Sequence, residues 1–269
     1  MKTLRIPFTL FCLLAISALS SHAAELATAK VLSVSGTVMR TEGAAFVKVG
    51  GRESPLKAGD ILREGDRIHS TKGSKVFLVF SNGSEITLFQ NSSLSIVDLE
   101  QEPYTSKRVY NELEADPSKS QTLLELDYGQ LDGHVKKLSN TSSFNIETPL
   151  GTAAIRGTRF SISLLFTANK FRLTISNFDG LVDLITRTTA AVITGDTGKD
   201  EGNTFDNGSD VSVTPIPPAG KCNVETNEGS PVFNAIVSGL AAAPGLAVSV
   251  SANGTLTVEI ELGGAGGAI

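Results

Sequence analysis

The feature that most constrains the fold is a succession of short segments in which apolar and polar residues alternate. Clear examples are 31–40 (VLSVSGTVMR), 91–97 (NSSLSIV), 122–128 (TLLELDY) and 171–176 (FRLTIS). Alternation of this kind places one set of side chains on each face of a half-buried β-strand. Strands and helical patterns do not alternate along the chain, which disfavours a parallel α/β fold. The sequence therefore predicts an all-β protein, as a sandwich or a closed or curled β-fold.

The strongest local signal is at 76–89 (VFLVFSNGSEITLF), where two apolar runs flank Asn82-Gly83. Both central residues of a type I′ turn need positive φ, which Asn-Gly adopts at little cost, so we expect a two-residue β-hairpin here. The same reasoning predicts a C-terminal hairpin at 246–262, across Asn253-Gly254.

A charged segment at 99–121 interrupts the strands and contains Pro103 and Pro117. We interpret it as a surface insertion, which could carry a short helix near 106–115 or be a mobile loop. Nearer the C-terminus, residues 215–218 (PIPP) indicate a stiff linker. Ser230-Pro231 then predicts the start of a short helix that runs to Ala242.

The N-terminus has the layout of a secretory signal peptide. Lys2 and Arg5 precede an apolar run at 6–19, and small residues at 21 and 23 favour cleavage before Ala24. The alternative, a membrane anchor, is disfavoured because the run is too short to span a bilayer comfortably. We therefore expect residues 1–23 to be removed and the chain to be exported to the periplasm, the cell envelope or the extracellular space.

Composition and motifs exclude several classes of function. The net charge is −5, so the chain lacks the basic field that attracts nucleic acid or anionic lipid. No nucleophile elbow, phosphate-binding loop or dinucleotide fingerprint occurs in the sequence. The sequence therefore predicts a non-enzymatic protein without a cofactor.

Isolated reactive residues have structural explanations. Asp60 and Asp66 each follow a glycine at a predicted turn, so local turn bonding explains them better than acid–base chemistry. His69 and His134 have no metal-ligand spacing and are interpreted as exposed residues at strand ends. Cys222 is far from either histidine in sequence, and we expect a buried small hydrophobe or an exposed unpaired thiol.

One acidic loop offers a weak metal-site hypothesis. Asp196, Asp200, Glu201, Asp206 and Asp210 lie within fifteen positions, and exported proteins often bind calcium in oxygen-rich loops. The spacing does not match an EF-hand, so a solvated loop is the alternative interpretation.

Two parts of the chain resemble the halves of a FecR-type domain. The first lies at 29–97 and includes PLKAGDILREGDRIHS at 55–70 and GSKVFLVFSNGSEITL at 73–88. The second lies at 122–186 and includes FNIETPLGTAAIRGTRFSIS at 144–163 and FDGLVDL at 178–184. Its most specific string consists of Thr148, Pro149, Gly151, Arg156, Gly157, Thr158 and Phe160.

The resemblance implies an exported, β-rich module of sandwich or jelly-roll-like architecture. In the member type that names the family, such a domain receives a signal from an outer-membrane iron–siderophore transporter and passes it to a cytoplasmic sigma factor. The cytoplasmic helical segment and internal membrane span of that system have no counterpart in this sequence. We expect a domain at 24–195, then an extension at 196–269 with a loop, a Pro-rich linker, the short helix and the hairpin.

Within the specific string, we interpret Arg156 as a structural residue. Its guanidinium could tie a corner together by reaching backbone carbonyls or Glu147. The leading functional expectation is a module that binds an unidentified envelope protein. The alternative is a structural or glycan-binding protein of the envelope, stabilised by calcium. An exposed apolar strip would favour a protein partner, and an aromatic groove would favour a glycan.

Overall fold

The computed structural model describes residues 29–36, 45–49, 52–105, 108–187, 192–196, 211–226, 228–242, 246–250 and 256–260. The predicted signal peptide lies outside these residues. Strands dominate the described chain, which confirms the all-β class. The strands of the first half are β1 (Ala29–Gly36), β2 (Ala45–Val49), β3 (Arg52–Pro55), β4 (Ile61–Leu62), β5 (Arg67–Ser70), β6 (Ser74–Phe80), β7 (Glu85–Leu88), β8 (Ser92–Gln101) and β9 (Ser120–His134).

The second half continues with further strands and one α-helix. They are β10 (Ser143–Thr148), β11 (Gly151–Arg156), β12 (Arg159–Thr167), β13 (Lys170–Asn177), β14 (Leu181–Arg187), β15 (Val192–Asp196), β16 (Val211–Ile216), β17 (Lys221–Glu225), α1 (Pro231–Ala242), β18 (Leu246–Val250) and β19 (Leu256–Ile260). β18 and β19 pair with each other as an antiparallel hairpin, as predicted, although its turn falls outside the described residues.

The other strands form two sheets that are joined through β9. Sheet A has the order β4–β1–β6–β7–β9–β12–β13–β17–β15. Sheet B has the order β3–β2–β5–β8–β9–β10–β11–β14–β16. Among the described strands, β9 and β10 run parallel and every other pair is antiparallel.

Strand β9 passes from one sheet to the other at a glycine. Residues 120–128 pair with β8 in sheet B, whereas residues 129–134 pair with β7 and β12 in sheet A. Gly129 has φ +108°, and a Cβ atom there would lie 2.1 Å from Oγ of Ser92. The alternating segment found in the sequence ends at Tyr128, but the residues before and after Gly129 are continuous in the structure. They form one strand because glycine allows both the positive φ and the close approach of β8.

A single apolar core lies between the two sheets. Inward side chains of both sheets belong to one cluster of buried residues, as the alternation predicts. Phe80 of sheet A meets Phe144 of sheet B edge to face, with ring centroids 5.8 Å apart. Cys222 on β17 is buried in the same core, in agreement with one of the two predicted states.

The β6–β7 hairpin is present, but its turn is not the predicted type I′. The N–H of Gly83 donates to the carbonyl of Phe80 (2.9 Å), and the N–H of Phe80 donates to the carbonyl of Ser84 (2.8 Å). Gly83 has positive φ, whereas Asn82 does not. This is a three-residue loop that ends in a left-handed glycine. The side chain of Asn82 is buried and accepts a hydrogen bond from the N–H of Ser84 (3.0 Å), which fixes the alternative turn.

The predicted insertion is a short excursion that docks on the domain. Strand β8 continues to Gln101, and β9 begins at Ser120. The helix suggested near 106–115 is a single 3₁₀ turn, Tyr110–Glu112. Leu113 is buried, and the hydroxyl of Tyr104 donates to the carbonyl of Ser81 (2.7 Å).

The chain beyond residue 195 contributes strands to both sheets. β16 pairs with β14, and β17 pairs with β13, so the segment interpreted as a Pro-rich linker is partly a strand. Pro215 is tolerated because, in the described chain, β16 lies at the edge of sheet B. The predicted helix is present as α1, and the N–H of Phe233 donates to Oγ of Ser230 (3.2 Å) at its start.

Helix α1 packs over one end of the core. Its buried residues are Phe233, Ile236 and Leu240. The ring centroid of Phe233 lies 5.4 Å from that of Phe171 and 6.1 Å from that of Phe166. No helix among the described residues is long and apolar enough to cross a membrane.

Candidate functional site

The specific string identified in the sequence forms a tight turn and a corner. The turn joins β10 to β11, where Oγ1 of Thr148 donates to the carbonyl of Gly151 (2.8 Å) and accepts from the N–H of Leu150 (3.2 Å). A Cβ atom at Gly151 would lie 3.0 Å from the carbonyl oxygen of Ile185 on β14. Pro149 stands between Thr148 and Leu150 in this turn. These residues therefore shape the β10–β11 turn against its neighbouring strand.

The corner is built around the buried hydroxyl of Thr158. Its Oγ1 lies 2.7 Å from Oδ1 of Asn177 and 3.1 Å from Oδ1 of Asp179, in the turn between β13 and β14. Asp179 also accepts from the backbone N–H of Arg159 (2.7 Å) and from its Nε (2.8 Å). These bonds, the backbone one foremost, hold the pKa of Asp179 below its ordinary value. Phe160, the last residue of the specific string, is buried in the core.

Sequence reasoning assigned the corner to Arg156, and the structure assigns it to Thr158. The side chain of Arg156 is exposed at the end of β11 and, among the described residues, makes no hydrogen bond or ion pair. Glu147 pairs with Thr152, at the opposite end of β11, so the suggested contact with Arg156 is not formed. Asn177 and Asp179 were missed because their role depends on a turn nineteen or more residues away in sequence.

An exposed apolar strip lies on the outer face of sheet B, along β14 and β16. We name Phe178, Leu181, Ile185, Val213, Pro215 and Pro217 the outer strip. Leu181 and Val213 are 63% and 41% exposed, while their chain neighbours Val182 and Thr214 are buried. Phe178, in the turn that leads into β14, is 53% exposed. Ile185 and Val213 are cross-strand partners, which joins the strip across the two strands. Asp183 lies on the same face between Leu181 and Ile185, opposite Pro215, and places one carboxylate within the strip.

A groove of about 520 Å³ lies between α1 and the polar side chains of β5 and β9. Its polar wall consists of Arg67, Glu125 and Asp127, and Pro149 of the β10–β11 turn also lines it. The wall formed by α1 is entirely apolar and consists of Val232, Ala235, Ile236, Gly239, Leu240 and Ala242.

Arg67 organises the polar wall. Its Nε donates to Oγ of Ser95 (2.7 Å), its Nη1 lies 3.6 Å from Oδ2 of Asp127, and its Nη2 lies 4.0 Å from Oε2 of Glu125. Oγ of Ser93 donates to Oδ2 of Asp127 (2.7 Å). Burial raises the pKa of Asp127, against the opposing effects of the Arg67 charge and the Ser93 hydrogen bond.

Asp127 of the polar wall and, behind it, Ser93 and His69 have the residue types of a hydrolytic triad in an unsuitable arrangement. His69 and Ser93 are cross-strand partners, and Asp127 bonds Ser93 directly. In a serine triad the histidine stands between the other two residues and takes the proton of the serine. Here the Ser93 hydroxyl is fully buried and donates to the carboxylate, so it serves as a structural bond.

The other candidate residues have the following positions. Asp60 accepts from the N–H of Lys57 (2.7 Å), and Asp66 accepts from the N–H of Arg63 (2.8 Å), which confirms the turn-bonding interpretation. His69 is buried inside β5, so its predicted exposure is wrong. His134 ends β9 and is partly buried, and burial is the main cause that lowers its pKa. Burial raises the pKa of the Cys222 thiol to about 11.

The calcium hypothesis lies largely outside the described residues. Asp196 ends β15, while Asp200, Asp206 and Asp210 fall in the undescribed segment 197–210. Within the described chain, no group of three or more His, Cys, Asp or Glu side chains could hold a metal ion. The acidic-loop site therefore stays a prediction.

Comparison with known proteins gives one match. A family model described as FecR protein matches residues 66–183, a range that runs from the start of β5 into β14 and contains the whole specific string. Neither the curated proteins nor the solved structures gave a match.

Proposed function

This chain is a FecR-type domain protein, and from that premise we propose that it is an exported, non-enzymatic module that binds a protein partner in the periplasm or cell envelope. The FecR family is one of sensory and regulatory modules. Binding would therefore serve as a sensor or adaptor step, in which the partner's state is read through contact with this domain.

The outer strip is the observation that carries the proposal. Leu181, Phe178 and Val213 expose large apolar side chains on neighbouring strands and a turn. An exposed cluster of apolar side chains beside polar residues, here including Asp183, typically marks an interaction site. The strip contains one aromatic side chain, Phe178, whereas glycan sites usually stack several. A protein surface is therefore the better complement.

The non-enzymatic part of the proposal rests on the groove. Asp127 is engaged by Arg67 and Ser93, and the Ser93 hydroxyl is buried. Cys222 has a raised pKa and lies in the core, which disfavours a reactive thiolate. The described residues of this groove thus offer no activated nucleophile beside a free base.

The deciding experiment is capture of the partner with a matched pair of variants. The full chain, tagged at its C-terminus, is crosslinked in its native envelope fraction, and captured proteins are identified by mass spectrometry. Leu181→Asp should abolish capture of one stoichiometric partner, because it places a charge in the outer strip. Leu165→Asp is the control, since Leu165 is also an exposed leucine, at 37% against 63% for Leu181, and lies on β12 of sheet A.

Two results would overturn this function. Equal loss of the partner in both variants would show that the outer strip is not the contact surface. Retention on peptidoglycan or polysaccharide, with no protein enriched, would favour the envelope-polymer alternative. The mass of the recovered chain tests export independently, because removal of the predicted signal peptide leaves Ala24 as its first residue.

A further inference from the structure

We propose that the groove between α1 and the polar wall is a second binding site, which takes a lysine or arginine side chain presented by an otherwise apolar segment of a partner protein. The site is distinct from the outer strip. Glu125 of the groove and Val213 of the strip lie at the two ends of one row of paired residues in sheet B. The residues between them in this row are Glu147, Thr152 and Ile185. Four strand spacings separate them, or about 19 Å.

The helix wall leaves room for a side chain to lie along it. Ala235, Gly239 and Ala242 line the groove at positions that share one face of α1. A Cβ atom added at Gly239 would have nothing within 4 Å. Ile236 and Leu240 are buried beneath them and make the floor apolar. The groove volume, about 520 Å³, lies within the ordinary range of ligand sites.

The charges of the groove favour a cation. Arg67 is held by Asp127 and Ser95, and its distance to the Glu125 carboxylate is 4.0 Å. The Glu125 side chain is 42% exposed, so its oxygens are accessible from the groove. Asp127 supplies the second carboxylate of the polar wall, and the exposed Glu147, which pairs with Glu125 across β9 and β10, does not line the groove.

The opposite wall supplies no charge to neutralise these carboxylates. Helix α1 contains no Asp, Glu, Lys or Arg residue. Its last residue, Ala242, lines the groove, and the C-terminal end of a helix carries partial negative charge. Two carboxylates and a helix terminus therefore outweigh the single guanidinium, and the groove has a negative field.

An apolar wall that faces a negatively charged wall is complementary to a long basic side chain. Lysine and arginine bury a methylene stem along apolar surface and keep the charged end beside carboxylates. A metal ion would not use the helix wall, and the described residues hold no cluster of three metal ligands here. We assign the basic side chain to a partner protein because the apolar wall extends over three turns of α1, which is longer than one side chain.

Peptide selection tests the proposal without knowledge of the partner. Random displayed peptides of roughly twelve residues, long enough to occupy a groove, are selected on the full chain and counter-selected on Ala235→Phe, which fills the groove from an exposed position. We expect a consensus with one lysine or arginine among apolar residues. No consensus, an acidic consensus, or equal selection on Ala235→Phe would overturn the proposal.

Affinity measurements then separate charge from shape. The selected peptide and its norleucine analogue are titrated by fluorescence anisotropy. The basic peptide should bind at least about tenfold more tightly, and Glu125→Gln should weaken it roughly threefold to tenfold. Ala241→Phe is the matched control, because Ala241 is exposed on α1 but does not line the groove. Binding of free spermidine with equal affinity would exclude a protein segment as the required ligand.

This site rests on the proposed function only in having a protein as partner. Leu181→Asp should leave peptide affinity unchanged, because Leu181 lies in the outer strip. If the unmodified chain captured no envelope protein, or if Leu181→Asp captured it undiminished, while peptide binding stayed intact, the proposed function alone would be contradicted. Intact capture with no peptide consensus would contradict the groove alone.

Discussion

Replacement of Thr158 by valine should destabilise the domain, because the hydroxyl holds the corner of the specific string. Valine preserves the shape of the side chain and removes the oxygen atom. Thr158 and Asn177 are each 1% exposed, so the Oδ1 atom of Asn177 would lose its nearest donor without gaining water. A buried acceptor left without a partner costs about 1–3 kcal/mol.

The cost should extend beyond one hydrogen bond. Nδ2 of Asn177 donates to the carbonyls of Ile216 (2.8 Å) and Gly180 (3.2 Å), so its displacement would disturb the start of β14 and the end of β16. We expect a total loss of about 2–3 kcal/mol in the free energy of unfolding. For a domain of this size that corresponds to a decrease in Tm of roughly 5–10 °C.

The assay is urea unfolding followed by circular dichroism, together with a thermal melt. Thr158→Ser keeps the hydroxyl and should recover most of the loss. Arg156→Ala should change stability by less than about 0.5 kcal/mol, because Arg156 is exposed and makes no polar contact among the described residues. If Thr158→Val were as stable as the unmodified chain, or if Arg156→Ala were the more damaging change, this account of the corner would be refuted.

Three further predictions concern the bend of β9 at Gly129 and the buried thiol of Cys222. Gly129→Ala should lower the free energy of unfolding, measured with urea, by at least about 3 kcal/mol, because its Cβ would lie 2.1 Å from Oγ of Ser92. Gly59 also has positive φ, but a Cβ there would have nothing within 4 Å, so Gly59→Ala should cost only about 1 kcal/mol. In a Cys12→Ser chain, Cys222 should resist Ellman's reagent until the protein unfolds. Because its pKa is raised from 9.0 to about 11, the unfolded thiol ionises first, so stability should fall by up to about 2.7 kcal/mol as pH rises through 9 and past 11. In the Cys222→Ala variant, the free energy of unfolding should not show this contribution to its decrease at high pH.

Elements set by local chemistry were predictable from the sequence. The hairpin at Asn82-Gly83, the turn bonds of Asp60 and Asp66 and the start of α1 at Ser230 all depend on residues within a few positions of each other. The type of the first turn was not predictable, because burial of the Asn82 side chain selects a three-residue loop. Local propensity thus located these elements, and tertiary packing decided their detail.

Elements that depend on strand pairing were harder to predict. Gly129 has the properties of a break between strands, and only the close approach of β8 makes it a bend within one strand. The prolines of β16 suggest a linker, and an edge position makes them compatible with a strand. The groove joins residues from β5, β9 and α1, separated by up to about two-thirds of the chain. Sheet register brings them together, and no short motif encodes that register.

The shared strand β9 also determines how the protein can come apart. Strand β9 lies between β8 and β10 over residues 121–125 and between β7 and β12 over residues 131–134. Neither sheet can open fully without breaking bonds to this strand, so the two sheets form one cooperative unit. Amide protons of residues 121–133 should therefore exchange with solvent most slowly and only through global unfolding. Proteolysis should not yield a stable fragment that retains a single sheet.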